Sequence, residues 1–121
     1  MVDIVLTRAY ERPSADDGFR VLVDRLWPRG LNHERLPYDL WAKDIAPSVE
    51  LRRWFHADPA GRWAEFASRY AVELRESPEM KSFVAMIACK PKVTLLYGSR
   101  DPLHNHALVI RDTARSMLGE H

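Results

Sequence analysis

The residues with the most chemical potential sit together in KVTLLYGSRDPLHNHALVIRDTARSML (92–118), where an apolar run, Val93 to Tyr97, breaks at Gly98. Arg100, Asp101, His104, Asn105 and His106 follow, and then apolar spacing resumes. An imidazole titrates near neutrality and suits acid–base work. A guanidinium grips phosphate or carboxylate through two parallel hydrogen bonds. Such a group at the end of an apolar run therefore points to a site that holds an anion and moves a proton.

Two more apolar runs end in the same residue types. The first, Ile4 to Leu6, ends in Thr7-Arg8, and the second, Val21 to Val23, ends in Asp24-Arg25, followed by Trp27, Arg29 and Gly30. If these runs are parallel strands, their carboxyl ends share one edge, where ligands of open α/β sheets collect. Arg8, Arg25, Arg29 and Arg100 would then hold the anion, partly neutralised by Asp24 and Asp101. Asp24, His104 and His106 are the candidate catalytic groups, with Asp24 orienting an arginine or acting as base. Trp27, Asp101 and Asn105 complete the candidate ligand-binding set. A purely structural role, Arg–Asp pairs tying loops to the sheet end, competes with this reading. Trp27 and Trp41 could line a pocket or simply pack the loop.

A metal centre is a weaker reading. Helical residues two apart point ~200° apart, so His104 and His106 could share a metal only if the helix starts late, near Asn105. Asp24, His104 and His106 would then be the three available ligands, and zinc wants three or four. No metal is assigned. No cofactor is specified either: GSRDPLHN lacks the phosphate-loop lysine, and GxGxxG does not occur. His33, His56 and His121 read as solvated, Lys43 and Asp44 as a loop pair, and Cys89, among apolar neighbours, as a buried inert thiol.

The elements that must position these residues follow from pattern. Runs without alternation suggest strands covered on both faces. Ser48 can cap a helix over VELRRWFH, and Asp58-Pro59 opens another to about 76 with the stripe Trp63, Phe66, Tyr70, Leu74. Ser77-Pro78 starts a third. The last helix reads from Leu103, Ala107, Ile110, Ala114 and Met117, with Asp101-Pro102 as its start. Asn105 as the cap would start it later and leave His104 in the loop. The segment 27–47 carries three prolines and a glycine and reads as a long loop, with a short strand or helix around Asp39 to Ile45. The expected fold is α/β: a small, mostly parallel sheet of three or four strands flanked by helices, in Rossmann-like layering. The link between the first two runs is short, which leaves a hairpin open as the alternative.

The chain of 121 residues suits one domain, 1–121, with 46% hydrophobic and 29% charged residues. Its 18 Lys and Arg against 17 Asp and Glu leave a net charge of +1, which argues against a dedicated nucleic-acid arm. One cysteine, no secretory pattern and no apolar run of ~18 residues point to a cytoplasmic protein, monomer or homodimer, with a small anionic molecule as partner.

Three stretches carry a family resemblance: DDGFRVLVDRLWPRGL, LWAKDIAPSVELRRWF and TLLYGSRDPLHNHALVI. In order and spacing they resemble the YeaO-like family, domain-of-unknown-function family 488. The resemblance implies that 24–30 and 104–108 are signature segments. Longer relatives carry a Cys-His pair near Asn105-His106; with asparagine in that place, thiol chemistry is not carried over. Some members bear the label of MarR-class regulators. That would require a recognition helix and a basic face, and the helices here read as core-facing with mixed charge. The resemblance brings no established reaction. The reading is therefore a pocket binding a phosphate- or carboxylate-bearing small molecule, with hydrolase or transferase chemistry as one extension. A non-enzymatic binding module, nucleic-acid-linked or protein-binding, is the alternative.

Overall fold

A computed structural model describes residues 1–119. Four strands, β1 (Asp3–Arg8), β2 (Phe19–Leu22), β3 (Leu40–Trp41) and β4 (Lys92–Tyr97), form one sheet in the order β1-β4-β2-β3. Every pair is parallel. The hairpin alternative therefore does not occur: β1 and β2 flank β4, and neither touches the other. In register, Arg8 lies beside Tyr97 and Leu22 beside Leu96, so the strand ends come out on one edge.

The strands are apolar on both faces because both faces are covered, but the two covers differ. Val21, Val23, Val93 and Leu95 join the main core with residues of all four α-helices. Leu22 and Leu96 point the other way, into a second cluster with Ala9 and Leu36, flanked by Trp27, Leu31 and Trp41. The helices thus share one face, and the 27–41 segment supplies the lid for the other. Its prolines and turns prevent a helix there, so aromatic rings fill the layer: Trp27 packs 5.6 Å from Trp41 and 5.9 Å from Tyr38.

The helix starts obey local capping chemistry. In α1 (Val49–His56) the Ser48 hydroxyl accepts from the Leu51 amide. In α2 (Pro59–Glu76) Asp58 accepts from the Gly61 amide, and in α3 (Pro78–Ile87) Ser77 accepts from Met80. Each satisfies an amide that the first helical turn leaves without a partner. The expected stripe of α2 is core: Phe66, Tyr70 and Leu74 are buried. Burial of each such side chain contributes about 1.5–3 kcal/mol.

α4 spans His106–Met117, and this corrects the start expected at Asp101. The Asp101 carboxylate instead accepts from the amides of Leu103 (2.9 Å) and His104 (3.2 Å), closing a turn that competes with the helix. Asn105 is the true cap: its Oδ1 accepts from Leu108, and its Nδ2 donates to the Asp101 carbonyl at 2.9 Å. Leu103 consequently leaves the apolar stripe and is 70% exposed. Cys89 is also corrected. It lies exposed in the turn after α3, since the helix ends at Ile87 and the next residues swing away from the core. Among the described residues no helix is long and apolar enough to cross a membrane.

Candidate functional site

Asp24 organises the edge where β2 and β4 end. Its Oδ2 accepts from the Gly98 amide at 2.9 Å, and its own carbonyl accepts from Trp41 Nε1 at 2.7 Å. A side chain at 98 would intrude here: a Cβ would lie 2.7 Å from Asp24 Oδ2. From the first turn of α4, His106 Nε2 reaches the Val23 carbonyl at 3.1 Å and Asp24 Oδ1 at the same distance. A carbonyl only accepts, so Nε2 carries the proton. That proton aligns with Val23, and among the described residues Asp24 Oδ1 is left without a hydrogen bond.

His104 belongs to the turn before α4. Its Nδ1 lies 2.8 Å from Asp101 Oδ2, and Trp63 from α2 meets its ring edge-on at 5.5 Å. The carboxylate fixes the proton on Nδ1 and leaves Nε2 as the ring's available polar atom. Asp101 is held below the usual carboxylate range, first by the Leu103 amide and then by the His104 side chain.

These groups form one wall of a cleft of about 230 Å³. Asp24, Arg25, Ser99, His104, Asn105 and His106 line it from the strand ends and the α4 start, and Arg52, Phe55 and His56 line it from α1. Leu26, Ala46, Pro47 and Phe66 complete it with apolar surface. Arg25 is steadied by a 2.8 Å bond from Nη2 to the Pro47 carbonyl. Arg52 makes no ion pair among the described residues. His56 is an exposed residue whose ring nonetheless lines the cleft. Its pKa is lowered from 6.5, first by burial, then by Arg52 and His106. Arg52 on α1 and His106 on α4 thus both disfavour a further positive charge on His56.

Of the residues singled out by sequence, the fold brings Asp24, Arg25, His104, Asn105 and His106 into the cleft. Arg8, Trp27, Arg29, Arg100 and Asp101 lie outside its lining. Arg8 lies over the Tyr10 ring at 4.4 Å and donates to the Ser99 carbonyl at 3.1 Å, while the Arg29 carbonyl accepts from the Tyr10 hydroxyl at 2.8 Å. Trp27 donates to Leu31 at 2.6 Å and carries His33 at 4.4 Å, both within the loop layer. Arg100 is exposed, and Asp101 acts through His104. Both ends of the Asn105 amide are engaged in the turn and the cap. Lys43 lies 4.9 Å over the Trp41 ring, away from the cleft lining. His121 lies outside the described residues.

Arg52 and Phe55 carry no site expectation in the sequence, Phe66 reads there only as core, and His56, read as solvated, instead lines the cleft. One signal was present: positions 52, 55 and 56 share a helix face at spacings of three and four. No group of three or more His, Cys, Asp or Glu among the described residues could hold a metal. Although α4 does start late, Asp101 occupies one nitrogen of His104, and His106 Nε2 is turned to Val23.

Comparison with known proteins accords with the sequence motifs. The family profile described as "Inactive DUF488-N3 subclade" matches residues 3–121. The uncharacterized protein YeaO of Escherichia coli (strain K12) is 41% identical over 116 residues, 96% of this chain and 100% of its own length. The uncharacterized protein Rv3073c of Mycobacterium tuberculosis (strain ATCC 25618 / H37Rv) is 41% identical over 105 residues, 87% of each chain. No solved structure matches significantly. An end-to-end profile match and this level of identity across nearly the whole chain place the protein in the YeaO-like branch of domain-of-unknown-function family 488.

Proposed function

We propose that the cleft binds a small molecule bearing a phosphate or carboxylate, and that the protein holds this ligand without turning it over. The observation that carries the reading is the charge of the lining. Two guanidinium groups, Arg25 and Arg52, share the lining with the rings of His56 and His104 and with one acid, Asp24, and that acid is already committed to Gly98 and set beside His106. A guanidinium with free donors in a partly desolvated cleft favours an anion.

The absence of turnover rests on the nucleophiles. Ser99 Oγ accepts from the Asp101 amide at 3.1 Å, and no hydrogen bond links it to His104 among the described residues. Cys89 lies in the turn after α3, outside the lining. The description of the matching subclade as inactive agrees with this. A second reading keeps a hydrolase or transferase, because His104 is oriented by Asp101 as a general base would be.

Thermal unfolding with phosphate or acetate, at constant ionic strength against chloride, tests the binding. An anion at about 100 times its dissociation constant stabilises by about 2.7 kcal/mol. The shift should vanish in Arg52→Ala. Equal midpoints in phosphate, acetate and chloride would remove the anion reading.

A further inference from the structure

From the shape and chemistry of the same cleft we infer that its ligand is a small organic phosphate monoester, a narrower assignment that rests on the anion reading above. The first argument is the direction of the donors. Arg25 comes from the end of β2, Arg52 and His56 from α1, and His104 from the turn before α4. They reach the cleft from three separate elements. A carboxylate offers two oxygens in one plane and is satisfied by a single guanidinium fork. A phosphate monoester offers three oxygens arranged as a tripod, and so can answer three donors at once.

The second argument is His104. His104 Nδ1–H donates to Asp101, so the ring atom available to a ligand is Nε2 alone. A phosphate monoester loses its second proton near pH 6, within the range of an imidazole. A single proton can therefore be shared between a phosphate oxygen and Nε2, while Asp101 orients the ring from behind. An ionised carboxylate brings no proton of its own to share with Nε2. The first turn of α4 lies on the same wall through Asn105 and His106, and its positive end adds to the field.

The third argument is the remainder of the lining. Phe55, Phe66, Leu26 and Pro47 offer apolar surface that inorganic phosphate cannot use. The ligand thus carries a compact apolar body. The cleft of about 230 Å³ lies below the ~300 Å³ at which drug-sized sites begin. It suits a phosphate carrying a single ring or short chain.

Titration calorimetry at neutral pH and constant ionic strength, with phenyl phosphate, inorganic phosphate and phenylacetate as probes, tests the assignment. Phenyl phosphate should bind at least about tenfold tighter than either of the others. In His104→Asn the preference of phenyl phosphate over phenylacetate should collapse while phenylacetate affinity holds. If phenylacetate matches phenyl phosphate in the unaltered protein, the phosphate assignment is overturned and the anion reading stands. If inorganic phosphate matches phenyl phosphate, the organic body is overturned. If none of the three binds more tightly than chloride, the anion reading falls with it.

Discussion

Gly98 and Asp24 meet where the two central strands end, the glycine amide donating to Asp24 Oδ2 at 2.9 Å. β4 and β2 are neighbours in the sheet, so this bond clips one strand end to the next across the wall of the cleft. Asp24 is not free to retreat, since its main-chain carbonyl accepts from Trp41 Nε1 and its Oδ1 lies 3.1 Å from His106 Nε2.

Replacing Gly98 by alanine should therefore cost about 1–3 kcal/mol, since the added Cβ displaces the carboxylate it now bonds. Asp24→Ala should cost a similar amount by leaving the Gly98 amide without its acceptor, roughly 1–3 kcal/mol. Asp24→Asn, which retains an accepting oxygen, should cost less than Asp24→Ala. Urea unfolding of the three variants measures the order. An Asn variant as weak as the Ala variant would show that the charge, and not the Gly98 bond, is what matters.

Tyr70 predicts a second stability effect. It is fully buried, and its hydroxyl donates to the Ile45 carbonyl, joining α2 to the segment after β3. Burial raises its pKa well above the ordinary value, so it stays a neutral donor throughout the physiological range. Tyr70→Phe should destabilise by about 1–3 kcal/mol, because the carbonyl is left buried and unsatisfied. A Phe variant with an unchanged unfolding midpoint would mean that water replaces the hydroxyl.

His56 should make stability fall in mild acid. Its folded pKa lies below 6.5, so between the two values the unfolded chain binds more protons than the folded one. Stability therefore rises with pH through this window and declines as pH drops below about 6.5. His56→Gln should lose less stability than the unaltered protein between about pH 7 and about pH 5. Asp101 acts in a lower window: its depressed pKa contributes stability above the ordinary value of 3.8, which is lost as pH falls through the folded value. Parallel pH curves for the two proteins would contradict the placement of His56.

Cys89 should react in the folded state. It is exposed, so a thiol reagent added without denaturant should label it at a rate close to that of a free thiol. Mass spectrometry before and after denaturation measures this. Labelling that requires denaturant would restore the buried thiol suggested by its apolar neighbours.

Local chemistry was legible in the chain. Ser48, Asp58 and Ser77 announced three helix starts because capping depends only on a side chain and an amide two or three residues on. The apolar runs announced strands because a residue buried on both faces shows no alternation. Even the seam at 98–106 and Asp24 could be chosen, since they follow strands whose ends had to share an edge. Competing local signals were not separable: Asp101 and Asn105 are both good caps, and only the burial of the Asn105 amide between turn and helix decided for the second.

What tertiary structure alone decided is which charges face one another. β4 lies between β1 and β2, so Arg8 ends against the Ser99 carbonyl and Tyr10, while Arg25 turns toward Pro47 and the cleft. Arg52 and His56 enter the site because α1 packs against α2, with Phe55 stacked 4.1 Å from Phe66, a placement set by buried contacts that only folding makes. Pattern and caps act over a few residues and survive in the sequence as spacing. The direction of a long, solvated guanidinium is set by neighbours that folding alone brings near, and it leaves no trace in the order of the residues.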